Sequence, residues 1–130
     1  MHDIALEKLI KHFEAHNRTE GKSPATVHWY NRVLSYFHRY LREHGLSDTL
    51  ENLNIHVVRD FILYLQTKRK WDGHPFLPRT EKNLAAISVQ TYVRALKAFF
   101  RWLQREGYTS EDLLGQLRPP KAVELKVPVS

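Results

Sequence analysis

Apolar and polar residues alternate along this chain with a helical period, and the pattern divides it into four main stretches. Leu6, Leu9, Ile10 and Phe13 recur at three- and four-residue spacing. They predict a first helix, capped by Asp3 and running to about His16, before the polar run from Asn17 to Lys22 breaks it. Ser23 followed by Pro24 is a helix start, a hydroxyl cap ahead of a proline at the first helical position. Val27, Tyr30, Leu34, Phe37 and Leu41 then form one buried face, closed by His44 and Gly45. After a turn from Ser47 to Asn54, a third helix is predicted from about Ile55 to Lys68, burying Val58, Phe61, Ile62 and Leu65. The stretch from Arg69 to about Ala86 holds Gly73, Pro75 and Pro78 and reads as a long loop. Val89, Tyr92, Val93, Leu96, Phe99, Phe100 and Leu103 predict a fourth helix from Ser88 to Arg105, ending near Gly107, and Glu111 to Leu117 leaves room for a short fifth. Almost no strand is expected. The fold class is therefore all-α, a bundle of four to five helices over residues 1–117, with a proline-bearing linker over 118–130.

The polar faces of the second and fourth helices carry the functional signal. His28, Arg32, Ser35, Arg39 and Arg42 form one row, and Gln90, Arg94, Lys97, Arg101 and Arg105 form the other. A charged row is often only the solvated side of a helix. These two rows contain no acid at all, and that points outward to a polyanion. A third strip on the fourth helix, Thr91, Ala95, Ala98 and Trp102, includes small residues that let a neighbouring helix come close.

Composition agrees with this without deciding it. The chain has 130 residues, 42% of them hydrophobic, enough for one core without disulfides or metal. Lys and Arg exceed Asp and Glu by 20 to 14, for a net charge of +6 and a pI near 9.7, which favours a nucleic acid or another anionic surface as partner. No cysteine is present, so neither a disulfide framework nor thiol chemistry enters, as suits a reducing cytoplasm. Nothing reads as a signal peptide or a membrane span, and a cytoplasmic location is expected.

Candidate chemistry is sparse. No nucleophile and base pair, glycine-rich phosphate loop or paired-carboxylate arrangement is present, so no catalytic residue and no cofactor is expected in these residues. His12 and His16 lie one turn apart and can reach a common metal ion, but a zinc site needs a third or fourth ligand and Glu14 points to another face. No metal is expected; the eight histidines add positive charge as pH falls.

Several ordered motifs resemble one family. Ser23-x-x-Thr26-x-x-x-Tyr30-x-x-x-Leu34-x-x-Phe37-x-x-Tyr40-Leu41 resembles the second helix of the core-binding, or SAM-like, domain of tyrosine recombinases and phage integrases. Leu53-x-Ile55-x-x-Val58-x-x-Phe61-Ile62-x-Tyr64-Leu65 is similar to its third helix. Ser88-x-x-Thr91-x-x-x-Ala95-Leu96-Lys97-x-Phe99-Phe100-x-Trp102-Leu103, with Glu106-Gly107-Tyr108, is similar to its fourth helix and exit turn. Pro119-Pro120-Lys121 resembles the start of the interdomain linker. Two departures stand out: Glu111-Asp112 replaces an Asn-Pro pair common in the family, and the 69–86 segment is long and basic, with Lys68, Arg69, Lys70, Arg79 and Lys82 around Trp71 and Phe76.

The resemblance implies a DNA-binding domain that grips one side of a recombination half-site, as half of a C-shaped clamp on double-stranded DNA. It implies further that the catalytic set lies in a separate C-terminal domain beyond the linker, so this chain is expected to be a fragment without strand-cleaving activity. Alone it is expected to be a monomer, and the full-length recombinase a tetramer on DNA. The family's catalytic box His-x-x-Arg occurs as His56-Val57-Val58-Arg59, but it falls inside the third-helix match, and chance is the better account. The candidate DNA contacts are Lys22, Ser23, Thr26 and Arg32 on the second helix, Ser88, Gln90, Thr91, Arg94, Lys97 and Arg101 on the fourth, and Lys121 in the linker. Ser23 and Ser88 are also natural helix caps. Trp29 reads as core more readily than as a stacking platform. The competing reading is a helical protein-interaction module with a basic solvated face; a third is a small metal-dependent enzyme built on His12 and His16.

Overall fold

The structure, a computed structural model, describes residues 4–72 and 79–119, with 68–72 and 79–88 described as backbone only. Four α-helices follow one another: α1 (Leu6–Thr19), α2 (Pro24–Glu43), α3 (Ile55–Asp72) and α4 (Arg79–Arg105), with a 3-10 turn at Leu50–Asn52. Among the described residues the extended structure is a single antiparallel bridge between Ala5 and Thr49. Leu6 N donates to Asp48 O at 2.7 Å and Leu50 N to Ile4 O at 2.8 Å, which ties the start of α1 to the loop after α2. The fold is the all-α class the periodicity predicts.

The helix stops have a common cause. α1, α2 and α4 each end with a glycine at positive φ, Gly21 at 77°, Gly45 at 66° and Gly107 at 84°. At Gly45 the chain reverses so that Leu46 N reaches Leu41 O at 2.8 Å and Gly45 N reaches Arg42 O at 3.2 Å. A side chain at this left-handed position meets its own carbonyl, so glycine is the residue that caps the helix without strain. α1 runs three residues beyond the predicted stop at His16 because Asn17, Arg18 and Thr19 complete its last turn, with Arg18 paired to Glu14 at 2.7 Å.

α2 packs on both α1 and α4, and α3 packs on α4. The core is aromatic at two levels. Phe13 of α1 meets Tyr30, Phe99 and Trp102 at centroid distances of 5.1, 5.3 and 5.1 Å. Phe61 of α3 meets Phe37 and Tyr40 of α2 at 5.0 Å each. Edge-on and tilted contacts of this kind add to the area these rings bury. Ala95 and Trp102 are buried and Trp29 is half-buried against the core, so the small-residue strip and the core reading of Trp29 both fit the packing. Asn17 is a buried polar residue (1% exposed) whose side-chain amide has no hydrogen-bond partner among the described residues.

Three expectations are corrected. The long loop predicted from Arg69 to Ala86 is largely helical: α3 continues to Asp72 and α4 begins at Arg79. The run Arg79-Thr80-Glu81-Lys82-Asn83-Leu84-Ala85-Ala86 is rich in helix formers, and once Pro78 is passed nothing in it stops a helix. Residues 73–78, with Gly73, Pro75 and Phe76, lie outside the described residues. A helix over Glu111–Leu117 is absent. That segment turns instead, with Gly115 N bonded to Asp112 O at 3.1 Å and Leu117 N to Leu114 O at 3.0 Å. Seven residues ending before two prolines are too few to repay helix nucleation. Ser88, finally, does not begin α4; it lies nine residues inside it.

Candidate nucleic-acid interface

The start of α2 is built by its own side chains. Ser23 caps the helix, accepting from Thr26 N at 3.2 Å, and its hydroxyl donates to Thr26 Oγ1 at 3.0 Å. Immediately before it, Lys22 donates from Nζ to Glu20 Oε1 at 2.9 Å. That hydrogen bond, more than any other influence, holds the Glu20 carboxyl below the usual carboxylate range; desolvation opposes it, and the Coulomb fields of His16, Lys22 and Arg105 add to it. The sequence places Lys22, Ser23 and Thr26 together, and the structure keeps them together, but each already has a polar partner within the chain.

The two basic rows differ from this. Arg32 of α2 and Arg94 and Arg101 of α4 are exposed, and none forms an ion pair or hydrogen bond with the described residues. Arg39 is exposed on the same face of α2, with its guanidinium 5.0 Å from the centroid of the Tyr36 ring. Gln90 and Thr91 are half-buried in α4, and both take part in interactions there. Since Ser88 lies mid-helix, the positive end of the α4 dipole, which belongs to the first turn, is at Arg79 and not at Ser88. The side chain of Ser88 and all of Lys121 lie outside what is described.

Lys97 is the residue whose setting the sequence disguised. It belongs to the α4 row, yet it is half-buried and its ammonium donates to the backbone carbonyl of Leu117, twenty residues away. An i, i+3 count shows which face a lysine is on; it cannot show that a later segment folds back beneath it. Arg59 and Arg118 were also missed. Together with Ile62, Leu63, Gln66, Gln116 and Leu117 they line a groove of about 460 Å³ between α3 and the segment leaving α4.

The histidines divide among separate partners. His12 Nδ1 is 2.9 Å from Tyr108 Oη, and His16 Nε2 is 3.3 Å from Glu20. His38 Nε2 meets Asp48 at 2.9 Å, fastening α2 to the loop that pairs with α1. Among the described residues there is no group of three or more His, Asp or Glu side chains that could hold a metal. None of their helices is long and apolar enough to cross a membrane.

A small helical domain with a basic outer face, built around α2 and α4, is the class of protein these features define. The sequence profile of the phage integrase SAM-like domain matches residues 7–117, and the chain belongs to that family. It is similar to the tyrosine recombinase XerC of Oceanobacillus iheyensis, with 32% identity over 117 residues. That alignment takes in 89% of this chain and 33% of the relative, so the chain spans about a third of the recombinase's length. The fold is also similar to the N-terminal domain of a phage integrase/site-specific recombinase from Haloarcula marismortui, with a TM-score of 0.60 at 14% identity, covering 92% of this chain and all of that one.

Proposed function

We propose that this domain binds double-stranded DNA through the exposed basic rows of α2 and α4, gripping one side of a recombination half-site as the non-catalytic half of a clamp. The observation that carries the reading is the row on α4: in a member of an integrase domain family, Arg94 and Arg101 project from one helix with no acid among the described residues paired to them. Guanidinium groups without an internal partner are available for phosphate oxygens, which they meet with two parallel hydrogen bonds. Arg32 and Arg39 on α2 extend the same kind of surface. The full-length protein, on this reading, is a site-specific tyrosine recombinase whose strand cleavage and rejoining belong to another domain, acting in the cytoplasm as a tetramer on paired sites, with the isolated domain a monomer.

Titrating a labelled random-sequence duplex at two salt concentrations tests the binding. Salt-sensitive association is expected, because each phosphate neutralised releases condensed counterions and steepens the dependence of affinity on salt. Arg94→Ala is expected to weaken it at both salts. If the chain fails to bind duplex even at low salt, the protein-interaction reading replaces this one.

A further inference from the structure

The groove between α3 and the segment leaving α4 has no part in the candidate interface so far. Resting on the DNA reading above, we propose that Arg59 and Arg118 form a second contact for the nucleic-acid backbone in this groove, and that Lys97 is the positioning residue that holds Arg118 in place.

Among the described residues, two exposed guanidinium groups line this one groove, no acid lines it, and neither arginine is paired elsewhere. Like charges gathered without a counterion favour an anionic ligand. The rest of the lining says which kind. Ile62 and Leu117 are buried along it, Leu63 is 59% exposed, and Gln66 and Gln116 offer amide donors and acceptors. A free phosphate has no use for an apolar lining. A sugar-phosphate strand does, because its deoxyribose faces are apolar and its charged oxygens recur along the edge.

Lys97 joins this groove to the face already proposed to meet DNA. Its stem rises from the α4 row that includes Arg94 and Arg101, and its ammonium holds the carbonyl of Leu117, the residue immediately before Arg118. One donor of the ammonium is spent on that carbonyl. The exit segment therefore leaves α4 in a fixed direction, and Arg118 continues the basic row across the groove to Arg59. The same geometry gives the His56-x-x-Arg59 motif a use unrelated to catalysis. An acidic peptide could satisfy the two arginines as well, but nothing ties a peptide to the α4 row.

The test is the two-salt duplex titration on the whole chain, run with Arg59→Gln, Arg118→Gln, Lys97→Met and Lys97→Arg beside Arg94→Ala as reference. Arg59→Gln and Arg118→Gln should each weaken binding and lower the salt slope by about 1. Lys97→Met should reproduce Arg118→Gln, the pair together should lose little more than either alone, and Lys97→Arg should restore binding. Hydrogen exchange at the Leu117 amide should quicken in Lys97→Met and not in Arg118→Gln. If Arg94→Ala loses binding while Arg59→Gln and Arg118→Gln keep the full slope, the groove is no part of the DNA surface and the inference is overturned. It is overturned equally if poly-glutamate, and not duplex, is what Arg59→Gln ceases to bind. Should the unmodified chain fail to bind duplex at low salt, the DNA reading itself falls and this inference with it.

Discussion

The start of α2 and the middle of α4 look alike in sequence, each a cluster of hydroxyl and basic side chains, but the fold treats them differently. At the start of α2 the polar groups satisfy one another: Ser23 holds Thr26, and Lys22 holds Glu20. Along α4, Arg94 and Arg101 stand exposed with no counterion among the described residues. A cation already bonded to a carboxylate must give up that contact before it can neutralise a phosphate. The contribution of a basic residue to binding is therefore set by what it leaves behind as much as by what it meets.

That contrast can be tested in order of expected effect. The largest belongs to what both surfaces share, the core beneath them. Phe99 is fully buried against Phe13 and Trp102, and Phe99→Ala should cost about 3–5 kcal/mol in denaturant unfolding, taking both faces with it. Next, Arg94→Ala combined with Arg101→Ala should lower the salt slope of duplex binding by about 2 while the thermal midpoint stays put. A double variant that binds with an unaltered slope would show that α4 is merely solvated.

At the other site the pattern should reverse. Ser23→Ala removes the cap of α2 and should lower stability by about 1 kcal/mol with little change in salt slope. A fallen slope with intact stability would instead make the start of α2 a contact surface. The smallest effect is expected from Glu20→Gln, which frees Lys22 and should tighten duplex binding slightly. Acid should act in the same sense. Because the Glu20 carboxyl is held below its ordinary range, its stabilising contribution is complete above the unfolded-state value and is lost as pH falls through the lower folded one, releasing Lys22 in that window. Binding of the Glu20→Gln variant should lack that acid-side component.

Much of the fold was legible in the sequence because the signals involved are local. The Ser23-Pro24 start, the glycine stops at Gly45 and Gly107 and the apolar faces of α2 and α4 rest on contacts within a turn or two, and the chain folds there as its periodicity predicts. The misreadings came where a strong local signal was extended too far. Gly73, Pro75 and Pro78 suggested a loop reaching Ala86, although helix formers resume at Arg79. That reading also placed the start of α4 at Ser88, nine residues inside the helix. At the candidate site, the exposed arginines of the α4 row could be read from spacing alone. Arg59, inside a motif that chance explains, and Arg118, at the head of a proline-bearing segment, could not.

What the sequence by itself determined is which residues face inward, where helices α2 and α4 stop, and that their outer rows are basic. These follow from helical geometry and the chemistry of caps, and they need no partner from elsewhere in the chain. Tertiary structure alone decided which of those charges remain available. Lys97 turns to the carbonyl of Leu117, and Arg59 and Arg118 come to line one groove, because the segment after α4 folds back against α3 and α4. A hydrogen bond across twenty residues has no period to betray it, and it forms only once packing has brought its two ends together.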